Sequence, residues 1–130
     1  MKSRILLALG LGLTLAAMSC KEGPTAGELE ANLTTPNSDD GALQFTATAA
    51  ANVSITGISQ ACSGCKLFVV KVSDTQYRGV VTGNLANGVL FRVGVSDVKK
   101  PTNYTIQVNA VSSRTYALRS QVSTYSVKLQ

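Results

Sequence analysis

Residues 87–95, Asn-Gly-Val-Leu-Phe-Arg-Val-Gly-Val, decide the fold class of this chain. Apolar residues occupy every second position from Val89 to Val95, and Arg92 falls on the opposite face. A period of two residues is typical of a half-buried β-strand. The Asn87-Gly88 pair in front of it is the strongest short signal for a β-hairpin, because these residues readily adopt a positive φ. The stretch therefore predicts a strand that follows a tight hairpin turn.

The same pattern continues on both sides of this stretch, from Glu28 to the last residue. Runs of Val, Ile, Thr, Tyr and Phe alternate with polar residues and are separated by Gly, Asn, Asp and Pro, which indicates short strands joined by turns. The predicted strands are 28–34, 42–48, 53–58, 67–72, 76–83, 89–95, 104–111 and 125–129. The 67–72 run is apolar enough for a central strand. We expect an all-β fold, a single antiparallel β-sandwich of about 7–9 strands.

The first twenty residues have the parts of a secretory signal peptide. Lys2 and Arg4 give a positive start, Ile5 to Ala17 is an apolar run, and small residues precede Cys20. This order is that of a cleaved export signal. The apolar run is about a dozen residues long, whereas a membrane-spanning helix needs about 20.

With Cys20 at the cleavage point, the segment resembles the signal peptide of a bacterial lipoprotein. The resemblance implies that residues 1–19 are removed and that Cys20 becomes a lipidated N-terminus. Residues 20–27 then form a short tether, and residues 28–130 form one domain. The implied location is the cell envelope beyond the inner membrane, and Lys21 after the cysteine favours the outer membrane or the cell surface.

The charge of the exported chain is modest. Loss of Lys2 and Arg4 lowers the Lys+Arg count from 12 to 10 against 7 acidic residues, so the formal charge falls from +5 to +3. The basic residues are scattered, and the Lys99-Lys100 pair lies before Pro101 in a predicted turn. A basic patch suited to nucleic acid is therefore not expected.

Catalytic chemistry has few candidates in this sequence. The chain contains no histidine, which rules out Ser-His-Asp and Cys-His nucleophilic systems and removes the commonest metal ligand. Glu28 and Glu30 lie on one face of a predicted strand, where exposure at an edge is a simpler interpretation than a catalytic pair in a cleft. We expect no enzyme activity, no cofactor and no metal.

Cys62-Ser63-Gly64-Cys65 is the one internal motif with chemistry. In an oxidising compartment the two cysteines are expected to form a disulfide, and closing so short a ring stabilises by about 2 kcal/mol. A redox-active pair needs a helix N-terminus, whereas a strand-like run follows Cys65. A zinc site needs two further ligands. A structural disulfide is the preferred interpretation, with the redox pair and the metal site as alternatives.

Three further groups of residues have both a structural and a functional interpretation. Residues 37–41 carry oxygen ligands for a calcium ion, but a turn explains each of them. Tyrosine rings stack on sugars, although core or rim packing is the commoner role. The arginines are expected to be outward charges. The residues concerned are Tyr77, Tyr104, Tyr116 and Tyr125, and Arg78, Arg92, Arg114 and Arg119.

The stretch from Thr82 to Asp97, together with Leu43-Gln44-Phe45 and the 53–58 strand, resembles cohesin-like domains and the related carbohydrate-binding modules. This resemblance implies a jelly-roll sandwich over most of residues 28–130 and, by analogy, a role in recognition. Carbohydrate-binding relatives usually display exposed tryptophans, and this chain has none.

The sequence as a whole predicts a membrane-anchored envelope lipoprotein with a non-catalytic protein-binding or structural module. The lipidated residue is Cys20, and the disulfide joins Cys62 and Cys65. The expected partners are the membrane, through the N-terminal lipid, and an envelope protein or polysaccharide. The alternative function is carbohydrate binding at the cell surface, for which tyrosines aligned on one exposed sheet face are the expected evidence.

Overall fold

The computed structural model describes residues 23–130 of the chain, so Cys20 and the predicted signal peptide 1–19 lie outside the described residues. The described part is all-β, as predicted, and its eight strands fall within the predicted number. None of its helices is long and apolar enough to cross a membrane. The strands are β1 (Gly27–Thr34), β2 (Asp40–Ala49), β3 (Ile55–Gln60), β4 (Lys66–Ser73), β5 (Gln76–Leu85), β6 (Gly88–Val95), β7 (Tyr104–Ser113) and β8 (Ser126–Leu129).

The eight strands form one antiparallel sheet in the order β3-β6-β1-β8-β7-β2-β5-β4. The sheet curls into a nearly closed, barrel-like shape, in which its two edge strands, β3 and β4, contact each other. The weakest junction is β7–β8, where one residue pair, Ile106 with Val127, is in register. Short 3₁₀ turns at Pro101–Asn103 and Val122–Thr124 lead into β7 and β8.

The core lies between the two halves of the curled sheet. The rings of Phe45 in β2 and Phe91 in β6 stack with centroids 4.3 Å apart and an angle of 17° between their planes. Gly79 in β5 leaves the space for Phe45, since a Cβ at this position would lie 2.5 Å from the Phe45 Cζ. Around the ring pair the core consists mainly of aliphatic residues that alternate along the strands, as the period of two predicted.

The hairpin prediction at Asn87-Gly88 is wrong. β5 and β6 are not neighbours in the sheet, so these residues lie on a connection between two separated strands. Gly88 does have a positive φ of 132°. The Asn87 side chain serves a long-range contact instead, because its Oδ1 accepts a hydrogen bond of 2.7 Å from the backbone N–H of Thr35.

The connections gather at the two ends of the domain. One end, here called the tether end, contains residues 23–26, 50–54, 74–75 and 96–103. Backbone hydrogen bonds hold these segments together, among them Val98 N–H to the Thr25 carbonyl at 2.8 Å and Ser96 N–H to the Ser54 carbonyl at 3.0 Å. The other end, here called the distal end, contains residues 35–39, 61–65, 86–87 and 114–125.

Candidate functional site

The outer face of β4 carries an exposed apolar surface. Phe68, Val70 and Val72 are 61%, 67% and 52% exposed, respectively. We call these three side chains the β4 apolar face. Isolated apolar side chains are common on protein surfaces, whereas a contiguous group of large ones is typical of a contact surface.

β4 is apolar on both of its faces. Leu67 and Val69 are half-buried and pack against the core, while Phe68 and Val70 lie on the opposite face. A strand with two apolar faces is typical of a sheet that is covered on both sides. Residues 23–130 leave the outer side open, since more than half of each outer side chain is exposed.

The apolar run predicted a central strand, and this prediction is wrong. β4 stands last in the strand order and pairs with β5 alone. Its register with β5 is regular from Lys66 to Lys71 and irregular between Lys71 and Ser73. One backbone edge of β4 therefore has no strand partner within the described residues.

The gap between the edge strands β3 and β4 is closed at its ends only. At the tether end, the backbone N–H of Ile55 donates a 2.8 Å hydrogen bond to the carbonyl of Asp74. At the distal end, the loop that contains Cys62 and Cys65 joins the two strands. No pairing between β3 and β4 is present along the described strands between these points.

The two edges differ in how they resist pairing with another chain. β3 has an irregular register between Ile55 and Gly57, and its exposed positions carry polar side chains such as Ser59 and Gln60. Bulges and polar residues are common devices that protect an edge strand. Because the irregularity of β4 is confined to its last residues, β4 is the less protected edge.

Charged side chains flank the β4 apolar face. Lys71 Nζ lies 2.8 Å from Asp74 Oδ1. The hydrogen bond with Asp74 and its negative charge raise the pKa of Lys71, and the same contacts lower the pKa of Asp74. Lys66, at the other end of the strand, is exposed and makes no ion pair with a described residue.

Cys62 and Cys65 lie at disulfide-bonding distance, with their Cα atoms 5.7 Å apart. Cys65 is buried, and the pair is followed directly by β4 and not by a helix. A thiolate here lacks the helix N-terminus that activates redox cysteines. The geometry agrees with the predicted structural pair. Because the two cysteines directly precede β4, the pair fixes the start of this edge strand.

The predicted turn at 37–41 contains a buried carboxylate. Asp40 begins β2 and is 1% exposed. Its oxygens accept hydrogen bonds from Thr35 Oγ1 at 2.5 Å, Arg119 Nε at 3.2 Å and Tyr125 Oη at 2.9 Å. These three protein donors give Asp40 a structural role. They therefore favour the structural interpretation of this segment over the calcium alternative.

Arg119 departs from the prediction that the arginines are outward charges. It contacts both Asp39 and Asp40, and its side chain is 23% exposed. Partial burial acts to lower the pKa of Arg119, but the hydrogen bonds to Asp39 and Asp40 outweigh it and raise that pKa. Arg78, Arg92 and Arg114 are exposed, as predicted.

The tyrosines do not form an exposed row. Tyr77, Tyr104 and Tyr125 are buried. Tyr116 is 92% exposed, but it lies alone on the β7–β8 connection with a positive φ of 67°. The aligned tyrosines expected of a sugar-binding sheet face are absent from residues 23–130.

The other predicted polar candidates lie apart from one another. Glu28 and Glu30 are exposed on β1, and Glu30 Oε1 lies 3.9 Å from Arg92 Nε across the strand pair. An open cleft of about 710 Å³ lies at the tether end and is lined by Pro24, Asp74, Asp97 and Lys100, among others. Within residues 23–130, no group of three acidic or cysteine side chains is arranged to hold a metal ion.

Comparisons of the chain with protein-family models, curated proteins and solved structures found no match. Sequence reasoning missed the β4 apolar face, although one signal was present: an apolar run on both faces of a strand requires a cover on both sides.

Proposed function

We propose that this chain is a lipid-anchored protein of the bacterial cell envelope whose β domain binds another protein through β4, without catalytic activity. The observation that carries the proposal is the β4 apolar face on an unpaired edge strand. An extended strand of a partner satisfies both features, because it adds backbone hydrogen bonds at the edge and its side chains pack beside the apolar side chains of β4 on the same face of the sheet.

The position of the tether supports anchoring at one end of the domain. Lys99 Nζ donates a 3.2 Å hydrogen bond to the carbonyl of Gly23, and Thr25 N–H donates one of 3.3 Å to Asp97 Oδ1. Gly23 is three positions after Cys20 in the chain, a reach of about 10 Å. A lipid on Cys20 therefore holds the tether end close to the membrane, with the distal end facing away.

For the fold we propose the sandwich of cohesin-like domains as the finer description. The single residue pair between β7 and β8 divides the sheet into two groups of four strands. The stacking of Phe45 in one group on Phe91 in the other is the contact expected between packed sheets. This division also leaves the free edge of β4 open to a partner.

Carbohydrate binding at the cell surface is the second candidate. It has one exposed tyrosine, Tyr116, in its favour. Flat sugar-binding surfaces need several aromatic rings side by side, and the three other tyrosines are buried. Protein binding through β4 is therefore the better supported function.

The anchoring part of the proposal is tested by intact mass. The full chain, purified from its native membranes, is expected to begin at Cys20 and to carry a lipid-sized mass increase, and Cys20→Ser is expected to abolish both. A wild-type chain that retains residues 1–19, or that lacks added mass, overturns the anchor.

The binding part is tested with a photoreactive amino acid at position 70 in the full chain, irradiated in intact cells. Position 107, which is exposed on the central strand β7, is the matched control. A protein adduct at position 70 and none at position 107 is the expected result. Equal labelling at both positions, or adducts with lipid alone, overturns protein binding through β4.

A further inference from the structure

Building on the proposed function, we infer that the partner strand of β4 is β4 of a second copy of this chain. The two strands pair antiparallel about a two-fold axis at Val70. Closed two-fold dimers present the same surface from each copy, so that surface has to complement itself. The sequence of β4, together with Asp74 directly after it, meets this condition in its apolar and in its charged positions.

The apolar positions match across the axis. With Val70 opposite Val70 of the second copy, Phe68 of each copy lies opposite Val72 of the other. Side chains opposite each other in an antiparallel pair lie on the same face of the sheet. The two β4 apolar faces thus lie side by side as one continuous surface, in which Phe68 of each copy packs against Val72 of the other.

The charged positions match in the same register. Asp74, the first residue after β4, comes beside Lys66 of the other copy, so that a cation side chain meets an anion side chain at both ends of the paired strands. Both side chains are exposed, and Asp74, which contacts Lys71 within its own chain, exchanges that surface contact for Lys66 of the second copy. Shifting the register by one residue brings Phe68 opposite Lys71 or Ser73, which alternate with the β4 apolar face along the strand. The apolar pattern and the charges therefore favour the same pairing.

The other edge strand is a poorer candidate for the same contact. Exposed polar residues and the irregular start of β3 limit regular pairing there. Anchoring both copies in one membrane also raises their effective concentration, which lets a short interface suffice for association.

Cysteine cross-linking of the full chain in membranes tests the inference. Directly opposite residues in an antiparallel pair have Cα atoms about 4.5–5.5 Å apart, which is within the range for a disulfide. Val70→Cys is therefore expected to give a disulfide-linked dimer on mild oxidation. Phe68→Cys places the two thiols four residues apart along the paired strands, about 13 Å, and is expected to stay monomeric.

Wild type is the control for cross-linking through Cys20, and Gln107→Cys is the control for random collision between exposed cysteines. Both are expected to stay monomeric. A Val70→Cys chain that yields no dimer overturns the inference, as does one that cross-links no better than Phe68→Cys. The photo-cross-linking experiment separates this inference from the proposed function. An adduct at position 70 with a different protein supports protein binding through β4 but overturns pairing with a second copy. Adducts with lipid alone overturn both proposals.

Discussion

The hydroxyl of Tyr125 donates a 2.9 Å hydrogen bond to Oδ1 of Asp40, which lies 85 residues earlier in the chain. Tyr125 Oη also accepts a hydrogen bond of 2.6 Å from Asn37 Nδ2. Because Arg119 contacts the same oxygen of Asp40, one buried carboxylate joins the start of β2 to the long β7–β8 connection. This contact fixes the distal end of the domain.

Asp40→Ala is expected to lower the free energy of unfolding by about 3 kcal/mol, because it leaves buried donors without an acceptor and Arg119 without its inner partner. Tyr125→Phe removes one hydrogen bond and is expected to cost about 1 kcal/mol. Urea unfolding with the cysteine pair intact measures both. Asp39→Asn, at the exposed end of the same network, is the control and should cost less than about 1 kcal/mol. An equal loss for Asp39→Asn and Asp40→Ala contradicts the assignment.

Gly79 and Gly57 provide a matched pair for the core. An alanine Cβ at position 79 meets the ring of Phe45 at 2.5 Å and the carbonyl of Phe68 at 3.0 Å, whereas nothing lies within 4 Å of a Cβ at position 57. Gly79→Ala is expected to destabilise the domain by about 1–3 kcal/mol, and Gly57→Ala by less than about 0.5 kcal/mol. Thermal or urea unfolding compares the two variants. Similar stabilities would mean that Phe45 moves aside without cost.

Much of the fold was predictable because it depends on local alternation. Phe91, Val93 and Val95 are buried at alternate positions of β6, and a period of two identifies such a strand without reference to the rest of the chain. Strand order is different, since it depends on contacts between distant residues. Asn87-Gly88 has the local chemistry of a hairpin, yet it connects strands that do not pair.

The candidate site was harder to predict for the same reason. Nothing within Leu67 to Val72 distinguishes a central strand from an edge strand, because both contain apolar runs. Asp40 is a similar case: its sequence neighbours indicate an exposed turn, and its burial comes from Arg119 and Tyr125 far along the chain. The Cys62–Cys65 motif was easier, because its short spacing alone limits its geometry.

The cysteine pair is predicted to stabilise the domain without taking part in redox chemistry. Replacing both Cys62 and Cys65 by serine is expected to cost about 2 kcal/mol in unfolding free energy, measured by urea titration. In the wild type, alkylation is expected to label these two thiols only after reduction. Labelling without reduction, or ready reduction by a mild thiol, favours the redox alternative instead.

The ion pair beside the β4 apolar face gives a pH-dependent signal. The hydrogen bond and charge of Lys71 lower the pKa of Asp74 in the folded state, so its stabilising contribution is present above the unfolded pKa of about 3.9. That contribution is lost as the pH falls through the lower, folded value. NMR titration of the Asp74 carboxyl is expected to show a midpoint below the ordinary value. In Lys71→Met the midpoint should return toward the ordinary range, and an unchanged midpoint would remove Lys71 as the cause.

Charge exchange along β4 tests the register of the inferred dimer independently of any cross-link. Lys66→Glu places like charges opposite each other at both ends of the paired strands, and Asp74→Lys does the same with the opposite sign. Each is expected to weaken association several-fold, because exposed pairs contribute modestly. Combining Lys66→Glu with Asp74→Lys in one chain restores opposite charges and is expected to recover most of the lost affinity.

Sedimentation of the detergent-extracted full chain at several concentrations measures this series. Both residues are exposed, so the fold is expected to survive every substitution, and near-wild-type unfolding curves are the check. Raising the salt concentration should reduce the differences between the variants, since surface charges are screened. A double variant that associates no better than the single ones excludes the contact between Lys66 and Asp74, because only residues that meet across the axis compensate each other in this way.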